Sequence, residues 1–500
     1  MATGSGGAPS YDRRVDRRLL IAAYALPLVA LVVAAALYPL NAPLTPDTEF
    51  YVYVGDNFWR GDGLYDLNRE LFTAHGPFGP ILASFLGSLT DGGLVAPRLF
   101  SYLMLAIAFV LVIRISDVLG GVRAAIMAAV LLIVIPFVWS RFGSPLIDQE
   151  QLVLSLVMLL LLLYPRNVSF GLAGVAFGIS LLFKETNALA ILVPLAWLGA
   201  IPRKEWARLY GLFLAGTAIT ALWWWVVVWV DQQVIFPFQR LDNAIGMTDY
   251  GLWPLLFVAF AIAWVAFAVR FHGEARARVL LLAVAAVVPP AILVIAKGMD
   301  TRHLLLLTSL SIVLVAVLAA RSGKVTYYAI GGVALLFAVT GLPHLHREPE
   351  PSKDYASLSE KLDANIRPGE EITATWMNIR QIARETDDVY VTELLPIRYC
   401  PCKGEDLVRI GFPRRLARTN NRSWLIVQGT RFAEYLAAKT PGVSIVFVNR
   451  DPERTQRGVL LRVDKRKLPS LRRLRRIVGD YEEYTNPTYD AGQNLVPFPY

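Results

Sequence analysis

Apolar runs long enough to cross about 30 Å of hydrocarbon recur along most of this chain, and no other feature restricts its fold so severely. In lipid every backbone polar group has to be satisfied within the chain, so such runs become helices. Eleven candidate spans are legible, at about 19–40, 96–113, 124–139, 149–164, 168–183, 186–201, 209–230, 251–270, 279–296, 304–320 and 325–341. Several fall below the ideal length, so short loops and tilt have to absorb the difference. The segment 77–90, PFGPILASFLGSLT, is too short to cross and carries two prolines; it reads as a half-buried helix inside the first loop. Length alone would suit three soluble domains. A chain of 500 residues that is 55% hydrophobic and 18% charged, with mean hydropathy +0.46, is instead a polytopic α-helical membrane protein.

The basic segment YDRRVDRR before the first run resembles a signal peptide, but the run is too long for a signal core and no small-residue cleavage site follows. It is read as a retained first span behind a cytoplasmic basic N-terminus, residues 1–18. The net charge of +9 then describes loops on one side of a membrane, and nothing resembles a nucleic-acid-binding motif. With the N-terminus inside, the inner loops hold fifteen basic residues: Arg13, Arg14, Arg17, Arg18, Arg114, Arg123, Arg166, Arg203, Lys204, Arg208, Arg270, Arg276, Arg278, Arg321 and Lys324. The outer loops, longer in sum, hold eight. That bias fixes the orientation, and it would be inverted if 77–90 crossed.

An odd number of spans leaves everything after Gly341 outside. Residues 19–341 form the membrane domain, with a first outer loop at 41–95, and residues 342–500 form an extracytoplasmic part with a basic and aromatic tail. In that part the runs EITATW, DVYVTEL, SWLIVQG, VSIVFVN and GVLLRV alternate with helix-like segments such as RFAEYLAAKT, which reads as a small α/β domain. The segment LPSLRRLRRI reads as either a headgroup contact or a solvated charged helix. The only two cysteines, Cys400 and Cys402 in Cys-Pro-Cys, are too close for a structural bridge and read as a loop pair.

The polar residues collect at the outer ends of the spans. The stretch Thr45–Pro80 holds Asp47, Glu49, Tyr51 and His75; it is either a solvated loop with aromatic anchors or a catalytic loop at the membrane surface. Arg98 opens the second span, Arg141, Asp148 and Glu150 lie in SRFGSPLIDQEQ, and Lys184 and Glu185 sit at a tight turn. The last outer loop supplies Arg302 and His303. Carboxylates suit base chemistry or metal binding, and arginines with lysine suit a phosphate. Each residue also has a plainer role: Lys184 and Glu185 as an ion pair closing a hairpin, Arg98 and Arg141 snorkelling to headgroups, His75 and His303 as interface histidines. The set is harder to explain that way than any single member.

The run from Asp47 through Pro80, together with Ser140-Arg141-Phe142 and Asp148, resembles the protein O-mannosyltransferases and their relatives in the GT-C glycosyltransferase superfamily. That superfamily includes the lipid A aminoarabinose transferase and the actinobacterial arabinofuranosyltransferases. The counterparts of the mannosyltransferase motifs are Asp47-Thr48, then FWRGDGLYD, then His75-Gly76-Pro77-Phe78-Gly79. The departures are Thr48 for glutamate, with Glu49 one place later, Gly76 for the first proline, and an altered spacing in the second loop. The resemblance covers about residues 19–320. It implies an inverting transfer of a monosaccharide from a polyprenyl-phosphate donor to an acceptor hydroxyl of a glycan, lipid or protein, with Asp47 as base. It implies that His75, Arg98, Arg141, Lys184, Arg302 and His303 stabilise the donor phosphate. Glu49 and Asp148 join the catalytic group, Asp148 orienting acceptor or sugar, and Tyr51, Glu150 and Glu185 contact acceptor or sugar. Some relatives use a divalent metal ion and others none; Asp47 and Asp148 are the candidate ligands. The Ala-, Val-, Leu- and Arg-rich composition suits a bacterial inner (plasma) membrane, with the site on its outer face. A transporter or flippase of a lipid-linked sugar is the competing reading; it predicts charges deep in the spans, and the spans are almost free of them.

Overall fold

The computed structural model describes residues 13–37, 46–64, 76–89, 95–135, 147–232, 268–269, 271–297, 305–324, 327–328, 331–332, 361, 364–367, 370–374, 390–393, 408, 412–418, 422–428, 430–448 and 458–481. The chain divides into two compact units. One comprises Met1–Asn41, Thr73–Gly79 and Leu89–Arg347, and the other Ala42–Phe72, Pro80–Ser88 and Glu348–Tyr500.

The first unit is a helical bundle. Its elements are α1 (Arg13–Leu37), α4 (Val95–Val134), α5 (Ile147–Leu162), α6 (Asn167–Phe183), a 3-10 helix (Glu185–Trp197), α7 (Arg203–Gln232), α8 (Gly273–Lys297) and α9 (Leu305–Arg321). Two further helices, α2 (Pro46–Trp59) and α3 (Phe78–Ser88), lie between α1 and α4 in sequence. Three helices among the described residues are long and apolar enough to cross a membrane: Arg17–Ala36, Val95–Val134 and Arg203–Val230. Shorter apolar helices occupy Asn167–Phe183, Ala188–Trp197 and Leu305–Arg321.

Helix α4 covers two expected spans, 96–113 and 124–139, in one assignment. It is broken at Gly121, where φ is 72° and ψ −171°. That backbone region is open in practice to glycine alone. Leu132 beyond the break lines the same small apolar cavity as Leu105, Ala108, Phe109 and Val112 before it, so the second arm folds back beside the first. The expected span at 186–201 is a 3-10 helix of 13 residues containing Pro194. At about 2.0 Å per residue it covers about 26 Å, more than the same residues would in an α-helix.

Helices α6 and α7 show what holds such a bundle together without a hydrophobic driving force between helices in lipid. Gly171, Gly174 and Gly178 line one face of α6. A Cβ at Gly174 would collide with the carbonyl of Phe213, and one at Gly178 with the Thr220 hydroxyl. The close approach lets Thr217 Oγ1 on α7 donate to Gly174 O across the interface at 3.2 Å and stacks Phe177 on Phe213 with centroids 5.5 Å apart.

The second unit contains a five-stranded mixed sheet. Its strands are β1 (Glu371–Ala374), β2 (Tyr390–Glu393), β3 (Arg422–Gln428), β4 (Val443–Val448) and β5 (Gly458–Asp464), in the order β2-β1-β3-β5-β4. β1 pairs parallel with β2 and β3, and β5 pairs antiparallel with β3 and β4. Alternate residues of β5, Val459, Leu461 and Val463, join Leu425 of β3 in one core. That core is closed by α10 (Phe412–Arg418), α11 (Thr430–Lys439) and α12 (Leu471–Gly479) through Phe412, Leu416, Phe432, Leu436, Leu474 and Val478. The period of two in the strand and the one-sided helices are the same fact seen twice. On the other side, buried Trp424 donates its indole N–H to Glu370 Oε2 at 2.8 Å.

Candidate functional site

Lys184 stands where α6 stops. Its backbone is extended, with φ −156° and ψ 125°, and it is at once the C-cap of α6 and the N-cap of the 3-10 helix. Its amide donates to Ser180 O at 3.0 Å, which closes the last turn. The break holds its side chain within the bundle, where Nζ donates to Asp148 Oδ1 at 2.5 Å. The two side chains are 3% and 6% exposed, so the pair is desolvated on both sides. Asp148 lies in the first turn of α5, where the helix dipole favours a carboxylate. One turn on, Gln151 Nε2 donates to the Lys184 carbonyl at 2.7 Å. The i, i+3 spacing of Asp148 and Gln151 lets one face of α5 grip Lys184 by side chain and main chain together.

The described part of the His-Gly-Pro-Phe-Gly motif seats against the same helix end. Gly76 and Pro77 are buried, and a Cβ at Gly76 would collide with the backbone of Leu182. Phe78 meets Phe183 edge-on, with centroids 5.9 Å apart at 84°. The glycine that departs from the mannosyltransferase pattern therefore has a steric reason, since this approach leaves no room for a side chain. The last turn of α6 thus joins two motifs that are about a hundred residues apart.

Arg98, in the first turn of α4, is only 2% exposed, which does not fit a side chain snorkelling into water. Glu150 keeps one carboxylate oxygen, Oε2, buried and without a hydrogen-bond partner among the described residues. In the second unit, Asp47 and Glu49 fall at the start of a helix, α2, where the sequence reads as a loop; their side chains lie outside the description. Tyr51, one turn after Asp47, is 4% exposed. The far end of α2 is clamped to α3: a Cβ at Gly55 would strike Pro80 O, Ser84 Oγ donates to Asp56 Oδ1, and Trp59 Nε1 donates to Ile81 O at 3.2 Å. His75, Arg141, Arg302 and His303 lie outside the described residues, as does the side chain of Glu185.

The structure thus joins Asp148 to Lys184, a partner 36 positions away that the sequence reading did not assign. It adds Gln151, for which the spacing from Asp148 was the available signal, and gives Gly76, read from the sequence only as a departure from the motif, a steric role. Among the described residues no three His, Cys, Asp or Glu side chains stand close enough to hold a metal ion. Asp148, one of the two candidate ligands, is engaged by an ammonium, so the described donor set does not fit a metal site.

The fold of this chain is similar to that of solved glycosyltransferases of the GT-C class. ArnT from Cupriavidus metallidurans, crystallised with undecaprenyl phosphate, superposes with a TM-score of 0.62 at 14% identity over 92% of this chain and 100% of that one. Its apo form gives 0.60 at 14% identity, over 90% and 98%. The oligosaccharyltransferase of Archaeoglobus fulgidus, in complex with Zn and sulfate, gives 0.53 at 14% identity over 89% of this chain and 73% of that one. No family model and no curated protein matches the sequence.

Proposed function

We propose that this protein is an inverting glycosyltransferase. It moves a monosaccharide from a polyprenyl-phosphate donor to an acceptor hydroxyl on a glycan, lipid or protein, at the outer face of a bacterial inner membrane. The observation that carries the reading is the desolvated Lys184–Asp148 pair, gripped by Gln151 at the helix end where Gly76–Phe78 packs. A structure of the same fold holds undecaprenyl phosphate, which is the lipid this chemistry releases.

In the proposed reaction Asp47 takes the proton of the acceptor hydroxyl. The acceptor oxygen bonds to the anomeric carbon from the face opposite the phosphate, and the carbon–oxygen bond to the phosphate breaks with its electron pair. Negative charge grows on the departing polyprenyl phosphate. Cations already in place in a water-poor site stabilise it without reorganisation. Lys184 is the described candidate, with Arg98 and the sequence-assigned His75, Arg141, Arg302 and His303. Asp148 acts through Lys184, fixing the direction of its ammonium. Glu49 supports Asp47, and Tyr51, Glu150 and Glu185 contact sugar or acceptor. No step is routed through a metal.

The test is mass spectrometry of lipids retained by wild type and Asp47→Asn after incubation with total membrane extract. A polyprenyl-phosphate sugar kept by the variant and consumed by wild type supports the reaction and names the sugar. The same intact lipid on both, never turned over, moves the chain to lipid-linked-sugar transport.

A further inference from the structure

Helix α12 carries far more positive charge than its fold requires. Arg472, Arg473, Arg475 and Arg476 are all exposed, while Leu474 and Val478 between and beyond them are fully buried. The turn before it adds exposed Lys465, Arg466 and Lys467, so seven cations occupy twelve residues. Among the described residues only Lys467 has a carboxylate within ion-pair reach, Asp464 at 3.8 Å, and none lies in reach of the four arginines.

This arrangement works against the helix itself. Arg472 faces Arg475 and Arg476 at i+3 and i+4, and Arg473 faces Arg476, spacings at which like charges destabilise. The first turn holds no acidic residue, and Ser470 makes no side-chain cap bond. Cations at that end oppose the helix dipole. The apolar face of α12 is spent in the core of its own domain, so the helix has nothing to insert into hydrocarbon. What remains is a fixed guanidinium surface, and guanidinium groups match phosphate oxygens in bidentate geometry.

We propose that this basic face docks on the phosphate headgroups of anionic phospholipids. The choice of occupant follows from charge complementarity and from the chain's own spans, which keep it at a bilayer at all times. Headgroup binding by a polybasic face falls off within a Debye length, about 8 Å at physiological salt, so it is direct and salt-sensitive.

The experiment uses the full-length protein in nanodiscs of phosphatidylcholine, with or without phosphatidylglycerol, and reads arginine modification by phenylglyoxal with mass spectrometry. In anionic discs residues 472–476 are modified several-fold more slowly, high salt restores the rate, and exposed Arg414 reacts equally in both. The variant with all four arginines replaced by Gln retains several-fold less phosphatidylglycerol on purification. Its Tm, unchanged or raised now that the like charges are gone, shows that the domain still folds. Equal modification in both discs overturns the proposal, since the face is then open in both or covered from within the chain. Protection by an added soluble polyanion but not by phosphatidylglycerol also overturns it and assigns the face to a different partner.

Discussion

A buried ammonium–carboxylate pair stabilises only while both partners remain. Replacing Asp148 by Asn or Lys184 by Met is therefore expected to cost about 3–5 kcal/mol, read as a lowered Tm of the detergent-solubilised protein. The double replacement recovers most of that loss; a Tm unmoved by either single change would contradict the burial described. Gly76→Ala is expected to cost about 1–3 kcal/mol, because its Cβ meets backbone and not a pliable side chain. It should also raise the KM for donor, since it pushes the motif off the helix end beside Lys184; an unaltered KM and Tm would show that the approach is not needed. At this scale the sequence was a partial guide. It marked Lys184 and Asp148 separately, from residue type and motif, but its plainer reading paired Lys184 with its neighbour Glu185. Sequence proximity could not point to Asp148, because that partner is brought to Lys184 by the packing of α5 against α6 across 36 positions. Gly76 stood out as a departure from the family motif, yet its reason is a carbonyl more than a hundred residues away.

Among elements, apolar runs were legible because hydrocarbon dictates their length and composition. Their ends and breaks were not, because those depend on single dihedral angles. The stretch after Thr45 reads as a loop from its carboxylates and glycines, yet Pro46–Trp59 is helical. Pro46 suits a first helical position, and the far end of α2 is locked by α3. Segment 77–90 carries a helix, Phe78–Ser88, too short to cross. The break in α4 offers a clean test, since no atom lies within 4 Å of a Cβ placed at Gly121. Gly121→Ala adds backbone strain without a clash and is expected to cost about 1–3 kcal/mol. Thermal unfolding indistinguishable from wild type would mean that the turn tolerates an ordinary residue.

For the whole molecule, the eleven spans expected from the sequence would put the two termini on opposite sides. A C-terminal alkaline phosphatase fusion is expected to be active and a C-terminal green fluorescent protein fusion dark; the reverse result would mean an even number of crossings. The alternation of short apolar runs in the last third of the chain carries strands wherever it was read, but the mixed pairing of β3 with β1 and β5 is a long-range matter that no local pattern encodes. The corner at Gly121 has a consequence at this scale. A straight helix of 40 residues would be about 60 Å long, twice the hydrocarbon depth, with Arg114 at its middle and Asp117 and Arg123 close by. Folded at Gly121, the same residues put those charges at a rim, where Arg321 donates to Leu119 O and the Tyr327 hydroxyl to Arg123 O. On the topology expected from the sequence, one dihedral angle thus acts as a parity bit for the chain: with it straightened, two crossings would become one and every later loop would fall on the opposite side.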